Sequence, residues 1–312
     1  MLRFLVWTLL AYASALCAQD YPNKPIRIVT SEAGGGNDIQ ARLIAQGLSG
    51  ALGEQVFVEN RPSGVIPGEV VSKAPPNGYT LLLYNNTLWI GPLLQNTPYD
   101  MARDFAAVTS VAKAANVLVV NPALPVKSVA ELVALAKARA GELNYGSSGT
   151  GGSNHLAGEL FRAMAGVNIV RINYKGAGPA LTALLAGELQ LMFPTAGAVT
   201  PHVKAGRVKA LAVTSAEPTA LFPGVPTVAA LLPGYESISI YGIFAPAKTP
   251  RTIIDKLNLE IVRFLNRTDV QEKFVNAGME AAGTSPEQLA ATVKSEMARM
   301  GKVIKDAGIR TE

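Results

Sequence analysis

The chain has 312 residues, of which 49% are hydrophobic and 16% are charged, and its formal net charge is +5. This length and apolar content predict a globular protein with room for two domains, each with its own core. The positive charge is mild and aromatic residues make up only 6%, so the basic stripe with interleaved stacking side chains that nucleic-acid binding requires is missing.

The first residues are typical of an export signal. Arg3 precedes an apolar run that ends near Leu16, and small residues continue to Ala18. This run is too short to be a membrane anchor. We expect residues 1–18 to be a signal peptide that directs the protein to the periplasm. A lipid anchor on Cys17 is the alternative, although a bulky leucine stands where lipoprotein signals carry a small residue.

Beyond this segment, short apolar runs alternate with helix-like stretches. Several runs are apolar almost throughout, which is typical of strands covered by helices on both faces. The predicted strands are Ile26–Val29, Val56–Val58, Thr80–Leu83, Val117–Val120, Ile169–Ile172, Leu189–Phe193 and Val208–Val213. The pattern predicts an α/β protein with mostly parallel sheets.

Three helices have recognisable starts. Ser128 and Glu131 form a Ser-x-x-Glu capping box, and Pro250 and Pro286 each stand at a first helical position. The apolar stripes that follow predict packing against a core. No glycine- and serine-rich linker separates two halves, so we expect the chain to pass between its domains more than once.

Two glycine-rich segments stand where a strand turns into a helix: the first directly follows the Ile26–Val29 strand, and the second contains a short strand of its own. The first is SEAGGGNDIQ, which starts at Ser31, and the second is NYGSSGTGGSNH, residues 144–155. Glycines allow close approach to backbone N–H groups, and a helix start adds partial positive charge, so each segment is a candidate anion site. An ordinary strand-to-helix turn is the plainer interpretation of either one alone. Their occurrence in both halves favours a facing pair, because open α/β sheets bind ligands at the carboxyl ends of their strands.

Other chemistries fit these segments less well. Neither has the lysine of a P-loop or the spacing of a dinucleotide fingerprint. Ser147, Ser148 and Ser153 lie close to His155 in sequence, which raises a periplasmic serine hydrolase as a distant alternative, but the G-x-S-x-G elbow is absent. His155 and His202 are the only histidines and no carboxylate cluster accompanies them, so neither a metal site nor a cofactor is predicted.

Three charged residues beside the turns have open roles. Asp38 is expected to cap the helix that contains Arg42, at (i, i+4) spacing, with ligand contact as the alternative. Lys175 lies in NYKGAG, another strand-to-helix turn, and either attracts an anion or is solvated. Glu32 either pairs with a ligand ammonium or hydroxyl group or is a solvated loop residue.

At this level of detail the sequence resembles the tripartite tricarboxylate transporter receptors, also called the Bug (Bordetella uptake gene) family. The matching segments run in family order from Tyr21 to the C-terminal helix. They include YPNKPIRIV, AGGGNDIQARLIA, VFVENRP, SKAPPNGYTLLL, NYGSSGTGGSNHLAGELF, NYKGAGPALTALLAGELQLMF, GRVKALAVTS, FPGVPTVA and YGIFAPAKTP.

The resemblance implies a type II-like periplasmic binding protein, in which two α/β lobes close over a ligand. The first lobe is expected to hold residues 20–119 and 242–312, and the second residues 120–241. The implied role is non-catalytic: a monomer captures a small carboxylate-bearing metabolite for the membrane subunits of a tripartite tricarboxylate transporter. A ligand-sensing receptor that presents to a signalling partner is the alternative.

By position, the resemblance also implies the ligand contacts. They are Ser31, Glu32, Gly34, Gly35, Gly36, Asn37, Asp38, Ser147, Ser148, Gly149, Thr150, Gly151, Gly152, Ser153, His155, Lys175 and Thr195. The sequence departs from the family pattern at three places that bear on the ligand pocket. Family members usually carry Pro-aromatic where Ser31 and Glu32 stand, have a longer loop after NRP, and often have an acidic residue near Thr195. The pocket lining is therefore expected to differ from that of relatives, while the frame is kept.

Overall fold

The structure, a computed structural model, describes residues 21–62, 64–147, 151–174 and 176–306. The predicted signal peptide lies outside these ranges. The strands are β1 Ile26–Thr30, β2 Val56–Asn60, β3 Thr80–Asn85, β4 Phe105–Ala115, β5 Val117–Val120, β6 Asn144–Ser147, β7 Val170–Asn173, β8 Leu191–Met192, β9 Lys209–Val213, β10 Ile238–Pro246 and β11 Glu280–Ala281.

Helices lie between most of these strands. They are α1 Gly36–Leu52, α2 Ile66–Ser72, α3 Thr87–Ile90, α4 Met101–Asp104, α5 Val129–Ala138, α6 Ser153–Ala165, α7 Ala177–Ala186, α8 Ala196–Lys204, α9 Arg251–Leu265, α10 Thr268–Asn276 and α11 Pro286–Asp306. The predicted helix starts at Ser128, Pro250 and Pro286 correspond to α5, α9 and α11. Every predicted strand corresponds to an observed one within a few residues.

The strands form two sheets, each the centre of one lobe. The first has the order β11-β4-β10-β3-β1-β2 and the second the order β7-β6-β8-β5-β9. The chain crosses from the first sheet to the second at Asn116, between β4 and β5, and returns between β9 and β10. It therefore passes between the lobes twice, and we call β4, β5, β9 and β10 the crossing strands. The lobe boundaries at 119/120 and 241/242 stay a prediction.

The prediction of mostly parallel sheets needs correction, because both sheets are mixed. The pairs of β1 with β2 and β3, and of β6 with β7 and β8, are parallel. In the first sheet β10 runs antiparallel to β3 and β4, and in the second β5 runs antiparallel to β8 and β9. The reason is that β5 and β10 enter their sheets directly from the other lobe, without the helical crossover that a parallel connection requires.

Apolar side chains cover both faces of each sheet, as expected for an α/β protein. In the first lobe, α1, α9 and α10 pack on one face around Ile28 and Ile261, and α2, α3 and α11 pack on the other around Trp89. In the second lobe, α5 and α6 pack on one face around Tyr145, and α7 and α8 on the other around Leu184. The residues of the α9 stripe are buried, which confirms the predicted packing.

Within the described ranges, no helix combines the length and the apolar character needed to cross a membrane. In the same part of the chain, His, Cys, Asp and Glu residues form no cluster of three that could hold a metal ion.

Candidate ligand-binding site

The first glycine loop joins β1 to α1 and is held by Asp38. Its Oδ2 accepts hydrogen bonds from the Gly34 N–H at 2.9 Å and from Arg42 Nε at 3.0 Å, and its Oδ1 accepts one from Asn60 Nδ2 at 2.8 Å. The predicted ion pair with Arg42 is present. The predicted cap is wrong: Gly35 is the N-cap of α1, and Asp38 is the third helical residue. A side chain at that position points back toward the preceding turn, so it reaches the loop instead.

The charge of Asp38 is compensated within the first lobe. Burial raises the pKa of this carboxyl group, but hydrogen bonds from Arg42, the Gly34 N–H and Asn60, together with the charge of Arg42, bring the pKa below its ordinary value. Asp38 therefore remains ionised at neutral pH while its oxygens are engaged by the loop. This arrangement limits the repulsion that a buried carboxylate would otherwise exert on an anion nearby.

The predicted contacts of the first loop differ in exposure. Ser31 and Asn37 are buried, and Asn37 Nδ2 donates to Ser31 Oγ at 3.0 Å. Glu32 and Gly34 are exposed. The loop thus has buried polar side chains that bond each other, and exposed residues on its solvent side.

The first turn of α1 directs its backbone donors toward the end of β1. The N–H of Ile39 donates to the carbonyl of Gly35, the N-cap of the helix, at 3.0 Å. The N–H groups of Gly36, Asn37 and Asp38 precede it, at the positive end of the helix dipole. These three groups are the backbone donors that the start of α1 leaves without an intrahelical acceptor, and they are the candidate anion-binding groups of the first loop.

The second glycine loop joins β6 to α6 in the same way. Ser147, the last residue of β6, is fully buried, and α6 begins at Ser153 with Gly152 as its N-cap. The Gly151 N–H donates to His155 Nδ1 at 3.0 Å. Four predicted site residues lie outside the described residues, namely Ser148, Gly149, Thr150 and Lys175.

His155 is a structural acceptor of this loop. Its side chain is buried, and this burial, together with the charges of Arg171 and Arg162, lowers the pKa of the imidazole to about 3. The ring is therefore neutral at physiological pH, with Nδ1 occupied by the Gly151 N–H. Ser147 Oγ accepts a hydrogen bond from Arg171 Nε at 2.8 Å. In the described geometry, neither residue has the serine-to-histidine bond that a nucleophilic serine requires.

The same backbone-to-side-chain hydrogen bond occurs in both glycine loops. In each, the third residue of the helix accepts a hydrogen bond from the N–H of the residue before the N-cap: Asp38 from Gly34, and His155 from Gly151. The N–H groups of Gly34 and Gly151 are consequently engaged within the protein. The remaining candidate donors of the described residues lie in the first turns of α1 and α6.

The crossing strands hold both loops. Gly36 packs against the hydroxyl of Tyr241 on β10, and Asn116 Nδ2 donates to Ser153 Oγ at 3.3 Å. Tyr241 pairs with Ala112, four residues before Asn116. At about 3.3 Å per strand residue, Ala112, the pairing partner of Tyr241, is about 13 Å from Asn116 along the strand direction.

The packing of the two helix starts agrees with this placement. Val29, near the end of β1, and Leu156, in the first turn of α6, belong to one buried apolar cluster. A Cβ at Gly151 would lie 3.3 Å from Leu94 of the first lobe. The second loop therefore lies directly against the first lobe.

Thr195 also lies at the junction of the lobes. It forms an antiparallel bridge with Asn116, and its backbone carbonyl accepts from the Ala198 N–H in the first turn of α8 at 3.1 Å. Two residues later, Gly197 packs so closely on the backbone of Ala277 and Gly278 that no Cβ would fit. The start of α8, in the second lobe, thus also lies at the junction between the lobes.

Three residues that shape the site were not predicted from the sequence: Asn116, Arg171 and Tyr241. Asn116 is a polar residue between two apolar strands, and Arg171 is a charged residue within a predicted apolar strand. Each is therefore a weak indication in the sequence of a residue with a special role. Tyr241 carries none, because β10 itself was not among the predicted strands. Burial raises the pKa of Tyr241 to about 12, so the hydroxyl that Gly36 contacts is neutral.

Comparison with known proteins decides the family. The model of the tripartite tricarboxylate transporter family receptors matches residues 40–309. The chain belongs to this family. BugT of Bordetella pertussis (strain Tohama I) is 35% identical over 305 residues, which is 96% of this chain and 94% of BugT. A protein encoded in the tcbD-tcbE intergenic region of Pseudomonas sp. (strain P51) is 37% identical over 290 residues, 91% of this chain and 86% of that protein.

Solved structures show the same fold. R. palustris Rpa4515 with adipate has a TM-score of 0.86 at 37% identity, covering 93% of this chain and 99% of that one. The periplasmic binding protein BugD has a TM-score of 0.82 at 30% identity, covering 94% and 100%. MatC from Rhodopseudomonas palustris with bound malate has a TM-score of 0.81 at 27% identity, covering 91% and 100%. The predicted two-lobed α/β fold is confirmed, and both family and fold are those of solute-binding receptors.

Proposed function

We propose that this protein is an extracytoplasmic receptor that captures a small carboxylate-bearing metabolite between its lobes and delivers it to a tripartite tricarboxylate-type permease. The observation that carries the proposal is that two glycine-preceded helix starts, one from each lobe, are both attached to the chain segments that cross between the lobes: α1 to Tyr241 of β10, and α6 to Asn116 between β4 and β5. The solved relatives Rpa4515, with adipate, and MatC, with malate, support a carboxylate ligand. In this proposal the protein acts in the periplasm and does no chemistry on its ligand.

The proposed ligand contacts are the two glycine loops and their helix starts. Ser31 to Asp38 contribute from the first lobe, and Ser147 to Ser153 from the second, with Lys175 and Thr195 beside them. His155 and Asp38 act by shaping the loops. The first-turn N–H groups of α1 and α6 are the donors to the carboxylate groups of the ligand.

Magnitudes explain why both lobes are needed. A helix start favours an anion by roughly 0.3–1 kcal/mol when exposed and by about 2 kcal/mol when partly buried. Micromolar affinity requires about 8 kcal/mol, so two helix starts alone are insufficient. Closure that buries the ligand adds charge-assisted hydrogen bonds of roughly 1.5–3 kcal/mol each. Because only the closed form offers contacts from both loops, ligand binding shifts the protein from open to closed.

Calorimetry with adipate and malate tests the proposal, with adipamide as an uncharged control ligand. We expect Gly151→Val to abolish carboxylate binding, because Gly151 has a φ of +79° in the second loop and a Cβ added there would lie 3.3 Å from Leu94 of the first lobe. Gly166→Val is the matched control: Gly166 also has a positive φ, ends the same helix, and has open space around it. Unchanged affinity in Gly151→Val would show that this loop is not the site.

A further inference from the structure

Arg171 lies on β7, at the edge of the second sheet, close to the proposed anion site. In the parallel pairing of β6 with β7, Tyr145 is opposite Arg171 and Ser147 is opposite Asn173. Residues opposite each other in a ladder project to the same face. Tyr145 is fully buried beneath α6, where Gly158 packs on its ring. Arg171 therefore lies on the face that α6 covers.

Hydrogen bonds to Ser147 and Asn173 hold the guanidinium at the carboxyl end of these strands. Arg171 Nε donates to Ser147 Oγ at 2.8 Å, and Nη2 donates to Asn173 Oδ1 at 3.3 Å. Ser147 and Asn173 are the last residues of β6 and β7, so the bonds turn the side chain toward the strand ends. The charge is also felt in the first turn of α6, because it helps to lower the pKa of His155. The guanidinium thus lies at the end of β6, at the residue from which the second glycine loop starts.

We propose that Arg171 is a ligand-binding residue, which holds one carboxylate of the ligand together with the first-turn N–H groups of α6. This inference rests on the proposed function and deepens it. The N–H groups of the first loop supply only dipoles, whereas a guanidinium forms charge-assisted hydrogen bonds of fixed geometry. A ligand with two carboxylates can then be held at one end by Arg171 and α6 and at the other by α1.

Calorimetry with adipate on the whole protein tests the role of the charge. We expect Arg171→Gln to weaken adipate binding about ten-fold or more, as for the loss of a charge-assisted hydrogen bond, and to reduce its salt dependence. Arg171→Lys keeps the charge but loses the planar fork, so its affinity should lie between the two. Arg207→Gln removes the same charge from an exposed position in the same lobe and should stay within about two-fold of the unsubstituted protein.

The outcomes separate a ligand contact from a structural role. If Arg171 only fixes Ser147 and Asn173, the lysine and glutamine variants lose affinity equally and both melt at lower temperature without ligand. That result, or an unchanged affinity in Arg171→Gln, would overturn the inference. If the unsubstituted protein binds no member of a panel of dicarboxylates, tricarboxylates, aromatic acids and amino acids, the proposed function itself fails, and this inference fails with it. If it binds a carboxylate other than adipate, the same variants are compared with that ligand.

Discussion

Single side chains fix the shape of each glycine loop before any ligand arrives. Asp38 and His155 occupy equivalent positions in α1 and α6 and accept the same kind of backbone hydrogen bond. One acceptor is a carboxylate whose pKa is lowered, and the other is an imidazole that burial keeps neutral. Each loop therefore has one N–H fewer for a ligand, but the remaining donors are preorganised, which reduces the entropy lost on binding.

His155 should make the stability of the protein depend on pH. Its pKa is about 3 in the folded protein and near 6.5 when unfolded, so the unfolded state binds more protons between these values. Stability should therefore fall as the pH drops below about 6.5, by up to about 1.4 kcal/mol per pH unit. His155→Asn keeps an acceptor for the Gly151 N–H and cannot titrate. Urea unfolding at about pH 7, 6 and 5 should show a steeper loss in the unsubstituted protein; parallel curves would contradict this role.

At the scale of elements, the sequence shows the parts of the fold that follow local rules. Apolar runs located β1, β2, β3, β5, β7, β8 and β9, and residues typical of helix starts located α5, α9 and α11. The long crossing strands β4 and β10 were missed. The sequence of β4, FAAVTSVAKAA, is rich in alanine and has no strict alternation, because this strand is buried through contacts with distant segments. The glycine loops were found, whereas the anchors Asn116 and Tyr241 depend on tertiary pairing that local patterns do not encode.

The attachment of α1 to β10 can be tested with two glycines of one helix. A Cβ at Gly36 would lie 2.9 Å from the Tyr241 hydroxyl, whereas a Cβ at Gly50 meets open space. We expect Gly36→Ala to lower both the thermal midpoint and the affinity for adipate. Gly50→Ala should raise stability by about 0.5–1 kcal/mol, because glycine is unfavourable within a helix, and should leave affinity unchanged. Equal gains in stability for both variants would show that the Gly36 contact is unimportant.

At the scale of the whole molecule, the two lobes share more than the crossing strands. Thr219 Oγ1, which follows β9 in the chain, donates to Glu280 Oε1 of the first lobe at 2.8 Å. Gly197 packs against Gly278. These contacts join the second lobe to β11, at the edge of the first sheet. The chain therefore forms two sheets that are joined by the crossing strands and by contacts at their junction, an arrangement that suits a hinged closure.

Closure predicts a change in shape on binding. Small-angle scattering should give a smaller radius of gyration with saturating adipate than without it, because the closed form alone contacts the ligand from both lobes. Gly151→Val, which should not bind, serves as the control and should show no change on adding adipate. An identical radius in the unsubstituted protein with and without bound ligand would contradict closure.

A crystal structure of the complex with adipate tests the central claim most directly. We predict that the ligand lies between the lobes, with one carboxylate within hydrogen-bond distance of the first-turn N–H groups of α1 and the other within the same distance of those of α6. A ligand bound to one lobe alone, or on a surface away from both glycine loops, would contradict the account.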